Sequence, residues 1–242
     1  MKNGVFIIGT DTGVGKTVIA AGLALVARER NIRVGVMKPV ATGCFDRGGE
    51  LLSHDTLFLL EASGGKKHDI ANPVRFRNPL APLAAAREES KAIDTSHILR
   101  AYEELHENFD FVIVEGIGGL MVPFTENYFV SDLIKEFDLP VIIVARTKLG
   151  TINHTLLTID AAKSRGIGVK GIIFNNFDEN SLGIDEQTSP RIISDLSGVP
   201  VLGMVPKITG LDVENLQYGN LKQVIKDRVA LEKIFIGEKR AK

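Results

Sequence analysis

The stretch Gly9-Thr10-Asp11-Thr12-Gly13-Val14-Gly15-Lys16-Thr17 constrains this chain more than any other. An apolar run, Val5-Phe6-Ile7-Ile8, leads into it, and a helix-patterned segment from Val18 to Arg30 leads out. A strand, a glycine-bearing loop ending in Gly-Lys-Thr and a helix together make the context that a phosphate-binding loop needs. Glycines let backbone N–H groups turn inward and line a concave nest for anionic oxygens. The helix that the loop opens carries partial positive charge at its N-terminus. Lys16 adds a full charge for β- and γ-phosphates, and the Thr17 hydroxyl suits Mg²⁺. The loop departs from the common pattern at its start, where Thr10 stands in the first glycine position and Gly9 comes one place early.

The rest of the chain supports a core large enough to hold such a loop. The 242 residues are 44% hydrophobic and 24% charged, as expected for one α/β domain spanning residues 1–242. A net charge of −1 offers no bulk attraction for nucleic acid or an anionic membrane, so neither is expected as a partner. The one cysteine, Cys44, cannot form an internal disulfide and suits a reducing compartment. The apolar run after Lys2 is too short for a signal peptide, and no window approaches the ~18 apolar residues of a membrane span. A cytoplasmic location is the expectation.

Taken in order, Ile19, Leu23, Val26 and Ala27 give the first helix one buried face. Arg33–Met37 reads as a short strand running into Lys38-Pro39-Val40-Ala41-Thr42-Gly43, which puts Lys38 at a strand's carboxyl end. Ser53 caps a helix from His54-Asp55. Pro73, Pro79 and Pro82 make Asn72–Leu83 an irregular loop, followed by a short helix over 84–89 and a longer one capped by Asp94 or Thr95. Phe111-Val112-Ile113-Val114 and Val141-Ile142-Ile143-Val144-Ala145 are continuous apolar runs, the mark of strands buried on both faces. The first ends at Glu115-Gly116 and the second at Arg146. Helices over 132–137, 152–164 and 188–196 alternate with strands over 170–174 and 201–205, and a last helix spans 221–235 before a tail expected to fray after about 236. This is the pattern of a mainly parallel sheet with helices on both faces. Gly9, Lys38, Glu115, Arg146, Asn175 and Pro206 should then share one sheet edge, where α/β proteins bind ligands.

Spacing discriminates among nucleotide-binding classes. A dinucleotide fingerprint would need glycine where Val18 stands. Partition and cell-division ATPases carry a lysine where this chain has Asp11, although the lysine-bearing terminal helix leaves a nucleotide-switched, partner-binding ATPase as the alternative reading. A cobalamin-pathway ligase of the amidotransferase type would need a glutaminase domain for which the chain has no room.

Several separated motifs together resemble the dethiobiotin synthetase family. They are the Gly9–Thr17 loop, Lys38-Pro39-Val40-Ala41-Thr42-Gly43, His54-Asp55, Val114-Glu115-Gly116 with Gly118-Gly119, and Lys148-Leu149-Gly150-Thr151-Ile152-Asn153-His154, then Asn175 and Gly203-Met204-Val205-Pro206. The resemblance implies an ATP-dependent ring closure that joins CO₂ to 7,8-diaminononanoate through a carbamate and a carbamic-phosphoric anhydride. It assigns Lys16 and Lys38 to catalysis and Thr12, Gly13, Val14, Gly15, Lys16 and Thr17 to the nucleotide phosphates. Asn175 and Pro206 take the base, whose identity stays open with adenine favoured. Lys38, Thr42, Gly150, Thr151 and Asn153 take the substrate, and Thr17, Asp55 and Glu115 take Mg²⁺. It also implies a homodimer whose sites are completed by both chains. Two departures limit it. Some members carry an acidic residue at the position of Gly13, so no side-chain role transfers there. The segment after about Asp212 does not follow the family pattern and receives no role.

Overall fold

The computed structural model describes residues 3–235. Its centre is a six-stranded sheet of β1 (Gly4–Gly9), β2 (Val34–Met37), β3 (Phe111–Gly119), β4 (Val141–Ala145), β5 (Val169–Phe177) and β6 (Val201–Pro206). The spatial order is β6-β5-β4-β1-β3-β2, and every neighbouring pair is parallel. The continuous apolar runs have their explanation here. Phe6, Ile8, Val112, Val114, Val141 and Ile143 enter one core, while Val5, Ile7, Phe111, Ile113, Ile142 and Val144 enter the other. Alternate side chains of a strand face opposite sides of a sheet, so both sets must be apolar when helices cover both. Full burial contributes roughly 1.5–3 kcal/mol for each such large side chain.

Helices α1 (Lys16–Glu29), α2 (His54–Ser63) and α9 (Leu221–Arg228) close one face, through Ile19, Leu23, Phe58, Leu221 and Ile225. The other is closed by α5 (Thr95–Asn108), α6 (Val130–Phe137), α7 (Thr151–Ser164) and α8 (Ile184–Ser197). Asp94 rather than Thr95 caps α5, accepting the His97 N–H at 2.9 Å. The remaining helices are the short α3 (His68–Ala71) and α10 (Leu231–Ile234), together with α4 (Pro82–Glu88). Among the described residues, no helix is long and apolar enough to cross a membrane.

Local pairing and capping explain where four elements depart from their sequence-based reading. β3 does not stop at Glu115 but runs on to Gly119, because Gly9 pairs with Gly119 beyond a register shift that follows the pairing of Ile7 with Glu115. The segment 72–83 is not wholly irregular: Val74–Arg75 pairs in parallel with Val40–Ala41, and Pro82 opens α4 two residues early, at the first helical position, which needs no N–H donor. α8 starts one turn early because the Glu186 carboxylate accepts the Gly183 N–H at 3.0 Å and satisfies an end donor. The expected last helix is broken at Val229-Ala230. Val229 makes an isolated antiparallel bridge with Gly203, and Ala230 N–H donates to Leu202 O at 2.7 Å, so sheet pairing replaces helical bonds there. The tail after 236 lies outside the described residues.

Candidate active site

All six strands point the same way, so their carboxyl ends meet at one edge. β1 is flanked there by β3 and β4: the chain runs from β1 to β2 on one side, and returns through β3 past β1 to β4 on the other. That switch point is where the loop between β1 and α1 emerges. Gly13 and Gly15 both have positive φ, +71° and +93°. At Gly15 a Cβ would lie 2.0 Å from the Asn175 amide nitrogen, so glycine is required by space as well as by backbone.

Asn175, at the end of β5, is buried and donates from Nδ2 to the carbonyl of Val14 at 2.9 Å. It braces the loop from beneath. Arg146, just after β4, donates from Nη2 to the carbonyl of Thr12 at 3.0 Å and braces it from the side. Neither brace has a signal in the sequence, where Asn175 reads only as a base contact and Arg146 only as a strand end. Val14 is itself a core side chain, so it can offer only backbone to a phosphate.

Lys16 lies under the loop, with Nζ donating to Asp11 O at 3.1 Å. Burial holds its pKa below the ordinary lysine value even with Glu115 nearby. A bound polyphosphate would restore the preference for the charged form.

The second cation stands opposite. Lys38 follows the last residue of β2, and β2 pairs with β3 so that Met37 matches Val114. Lys38 therefore adjoins Glu115. Its Nζ donates to Glu115 Oε1 at 2.9 Å and to Asp55 Oδ2 at 2.5 Å. Asp55 sits in the first turn of α2, where the helix end favours a carboxylate. Side-chain exposure is 7% for Lys38 and 1% for Glu115, against 38% for Asp55, so the Lys38–Glu115 pair is the deeply buried one. Burial opposes charge on Lys38, but the two carboxylates outweigh it and raise its pKa. Burial likewise opposes charge on Asp55, and the Lys38 ammonium beside it holds its carboxyl below the usual range. For Glu115 burial dominates and pushes the carboxyl up.

Thr17, at the second position of α1, donates from Oγ1 to Glu115 Oε1 at 2.8 Å. The other carboxylate oxygen, Oε2, is buried with no hydrogen-bond partner. A buried carboxylate oxygen left in that state is costly unless a cation takes it. Three hard oxygen donors, on Thr17, Asp55 and Glu115, suit Mg²⁺.

These side chains line one cleft of about 530 Å³, together with Thr12, Gly13, Gly15, Lys16, Thr42 and the Pro79–Pro82 wall. Gly150, Thr151 and Asn153 are not part of it. Gly150 (φ +94°) caps α7, Thr151 turns its hydroxyl back to Arg146 O at 2.6 Å, and Asn153 faces outward. Pro206 ends β6 beside Phe177, next to a polar hollow of about 470 Å³ lined by Gly13, Arg146, Asn176, Asp178 and Lys207.

Comparison with known proteins agrees with this geometry. Residues 3–215 match a family model described as an AAA domain. The ATP-dependent dethiobiotin synthetase BioD of Thermodesulfovibrio yellowstonii is 43% identical over 224 residues, 89% of this chain and 93% of that protein. The protein of the same name from Bacillus licheniformis is 43% identical over 236 residues, 96% of this chain and 95% of its own length. Among solved structures, the septum site-determining protein MinD of Pyrococcus horikoshii, complexed with Mg-ADP, has a TM-score of 0.58 over 97% of this chain and 94% of that one at 17% identity, a likeness of fold alone. Fold is thus shared with cell-division ATPases, whereas sequence identity along nearly the whole length is shared with the synthetases, and the chain belongs to the ATP-dependent dethiobiotin synthetase family.

Proposed function

We propose that the chain closes a cyclic urea on 7,8-diaminononanoate, using CO₂ and ATP, to form dethiobiotin. The observation that carries the reading is a second buried lysine, Lys38, held by Glu115 and Asp55 in the same cleft as the loop lysine, in a chain of this family.

One substrate amine adds to CO₂ and loses a proton, giving a carbamate. A carbamate oxygen attacks the γ-phosphorus as the bond to ADP breaks. The neighbouring amine then attacks the carbamoyl carbon, phosphate leaves, and a proton is lost as the five-membered ring closes. Negative charge collects on the phosphoryl oxygens and the carbamate, so the protein's work is positioning and charge stabilisation. Lys16 and the loop N–H groups hold the β- and γ-phosphates. Lys38 faces the carbamate and the phosphoryl group in transit, and Thr42 borders the diamine. Thr17, Asp55 and Glu115 would hold Mg²⁺, which supplies charge neutralisation between phosphates. Asn175 and the backbone at Pro206 flank the base, for which adenine remains favoured.

Gly150, Thr151 and Asn153 serve the substrate carboxylate of a second copy's site. An apolar outer surface beside the loop supports that reading. Leu149 is 91% exposed, Leu157 60% and Met121 43%, and the last two border a shallow hollow with Gly9 and Thr10. Surfaces of this kind mark association sites. The assembly is a homodimer working in the cytoplasm.

The test is ADP release in the presence of diamine, bicarbonate and Mg²⁺, with mass spectrometry for the cyclic urea. Lys16→Ala and Lys38→Ala should each lower turnover by roughly a hundredfold, the usual effect of losing a transition-state charge partner. A folded protein that makes no cyclic urea rejects the function. Equilibrium sedimentation of the wild type and Leu157→Glu tests the dimer.

A further inference from the structure

Asn72 does not line the cleft, yet it holds the residue that matters most there. Its side chain is fully buried. From Nδ2 it donates to the carbonyl of Lys38 at 2.7 Å and to the carbonyl of Val74 at 3.2 Å. The N–H of Lys38 donates in turn to Ala71 O at 2.7 Å. Both backbone groups of Lys38 are therefore gripped by the consecutive residues Ala71 and Asn72.

The grip is needed because Lys38 has just left β2, the edge strand of the sheet. Past Met37 the ladder with β3 no longer pins the backbone. A side chain as long as lysine follows its backbone, and a shift of about an ångström at a reacting group can cost on the order of a hundredfold in rate.

The amide is also expensive. Asn72 Oδ1 is buried without a hydrogen-bond partner, a costly state for an amide oxygen. Turning the amide over would set its oxygen against two carbonyl oxygens, so its orientation is dictated by Lys38 and Val74. A position that served only to fill volume would be better filled by an apolar side chain.

We infer that Asn72 is a positioning residue for the reaction: it fixes the Lys38 peptide and so keeps the Lys38 ammonium between Glu115 and Asp55. This rests on the role proposed above for Lys38. Asn72 acts through Lys38 and leaves the phosphate-binding loop untouched.

The test is a double-mutant cycle on the full chain, with Asn72→Ala, Lys38→Ala and the pair, each assayed well below its melting temperature. Asn72→Ala should lower kcat about tenfold or more while KM for ATP stays within about threefold. On the Lys38→Ala background the same substitution should cost nothing further, because its target is gone. Asn72→Leu keeps the branched skeleton, removes the donor and is carried through the same cycle, so a poorly folding alanine variant leaves the outcome readable. Retention of kcat within about twofold in a folded Asn72 variant, or a loss that multiplies on the Lys38→Ala background, overturns the inference. If Lys38→Ala itself turns over normally, the role of Lys38 falls and this inference falls with it. If Lys38→Ala is slow and the Asn72 variants are not, this inference alone falls.

Discussion

Lys38 Nζ donates to Glu115 Oε1 across 2.9 Å, and both side chains are withdrawn from solvent almost completely. A pair in that setting is worth less for the attraction it gains than for the cost of breaking it. Lys38→Met leaves Glu115 buried without its partner, and burial already pushes that carboxyl above its ordinary pKa. The sign of the pH effect follows. An acid with a raised folded pKa binds more protons folded than unfolded once pH passes the unfolded value of 4.5, so stability is lost as pH rises from there through the folded value. Lys38→Met should therefore fall further behind the wild type as pH rises, reaching about 3 kcal/mol near neutrality. Urea unfolding of both proteins from acid to neutral pH measures this. A gap that is constant with pH rejects the buried pair as its source.

Gly15 sits where only glycine fits, with Asn175 pressed against it and φ at +93°. Gly15→Ala must displace the Asn175 amide from the carbonyl of Val14 and strain the backbone, at a cost of about 1–3 kcal/mol. Nucleotide affinity should fall by about tenfold or more, because the N–H groups of the nest lose their common aim. Titration calorimetry with ATP reads the affinity, and circular dichroism checks the fold. Unchanged affinity in a folded Gly15→Ala would show that the brace is dispensable.

Much of this site is legible in the amino-acid sequence. The strand, loop and helix around Lys16 are plain because each carries its own local signal: an apolar run, glycines, then helical spacing. The apolar runs of β3 and β4 are likewise readable, since burial on both faces leaves no polar alternation to hide the pattern. The braces are not. Arg146 reaches Thr12 over 134 positions, Asn175 reaches Val14 over 161, and Asn72 reaches Lys38 over 34. A polar residue after a strand or short helix looks the same whether it meets solvent or a distant carbonyl. The continuation of β3 past Glu115 is hidden for a related reason. Gly116, Gly118 and Gly119 signal a stop locally, and only the pairing of Gly119 with Gly9 overrides it. Val229 misleads in the same way, because its bridge to Gly203 competes with a helix that local spacing favours.

His68 gives the fold an acid-side sensitivity distinct from that of Glu115. Glu50, His68 and Asp69 gather around Arg75, whose guanidinium lies 2.9 Å from His68 Nδ1, 3.1 Å from Glu50 and 2.5 Å from Asp69. Arg75 is thus the cation that this cluster holds. Burial first, and then the Arg75 charge, keep the imidazole pKa below 6.5, outweighing Glu50 and Asp69. The unfolded chain therefore takes up a proton near 6.5 that the folded chain refuses, and stability falls as pH drops from 6.5 towards the folded value. Above 6.5 the group contributes no pH dependence. Between about pH 7.5 and 5.5 the wild type should lose stability relative to His68→Gln, read as a gap in denaturation midpoint that changes with pH. Parallel slopes for the two proteins would remove His68 from the account.

The bridge between Gly203 and Val229 ties the C-terminal helices to the sheet. Leu221, Ile225, Leu231 and Ile234 pack in the same core as α1, the helix that carries Lys16 and Thr17. A Cβ at position 203 would lie 2.4 Å from the Arg228 carbonyl oxygen and 3.0 Å from the Val229 side chain. The first obstacle is backbone, so Gly203→Ala must push the strand-like Val229 away from β6 and lose the Ala230 to Leu202 hydrogen bond with it. Overpacking of this kind costs about 1–3 kcal/mol. The loss should be local. Amides of α9 and α10 should exchange faster, while those of β1 and the phosphate-binding loop keep their protection and ATP affinity stays within about threefold. Hydrogen exchange followed by mass spectrometry separates the two regions. Faster exchange throughout, with ATP binding lost, would show instead that the C-terminal helices are part of what holds α1 in place.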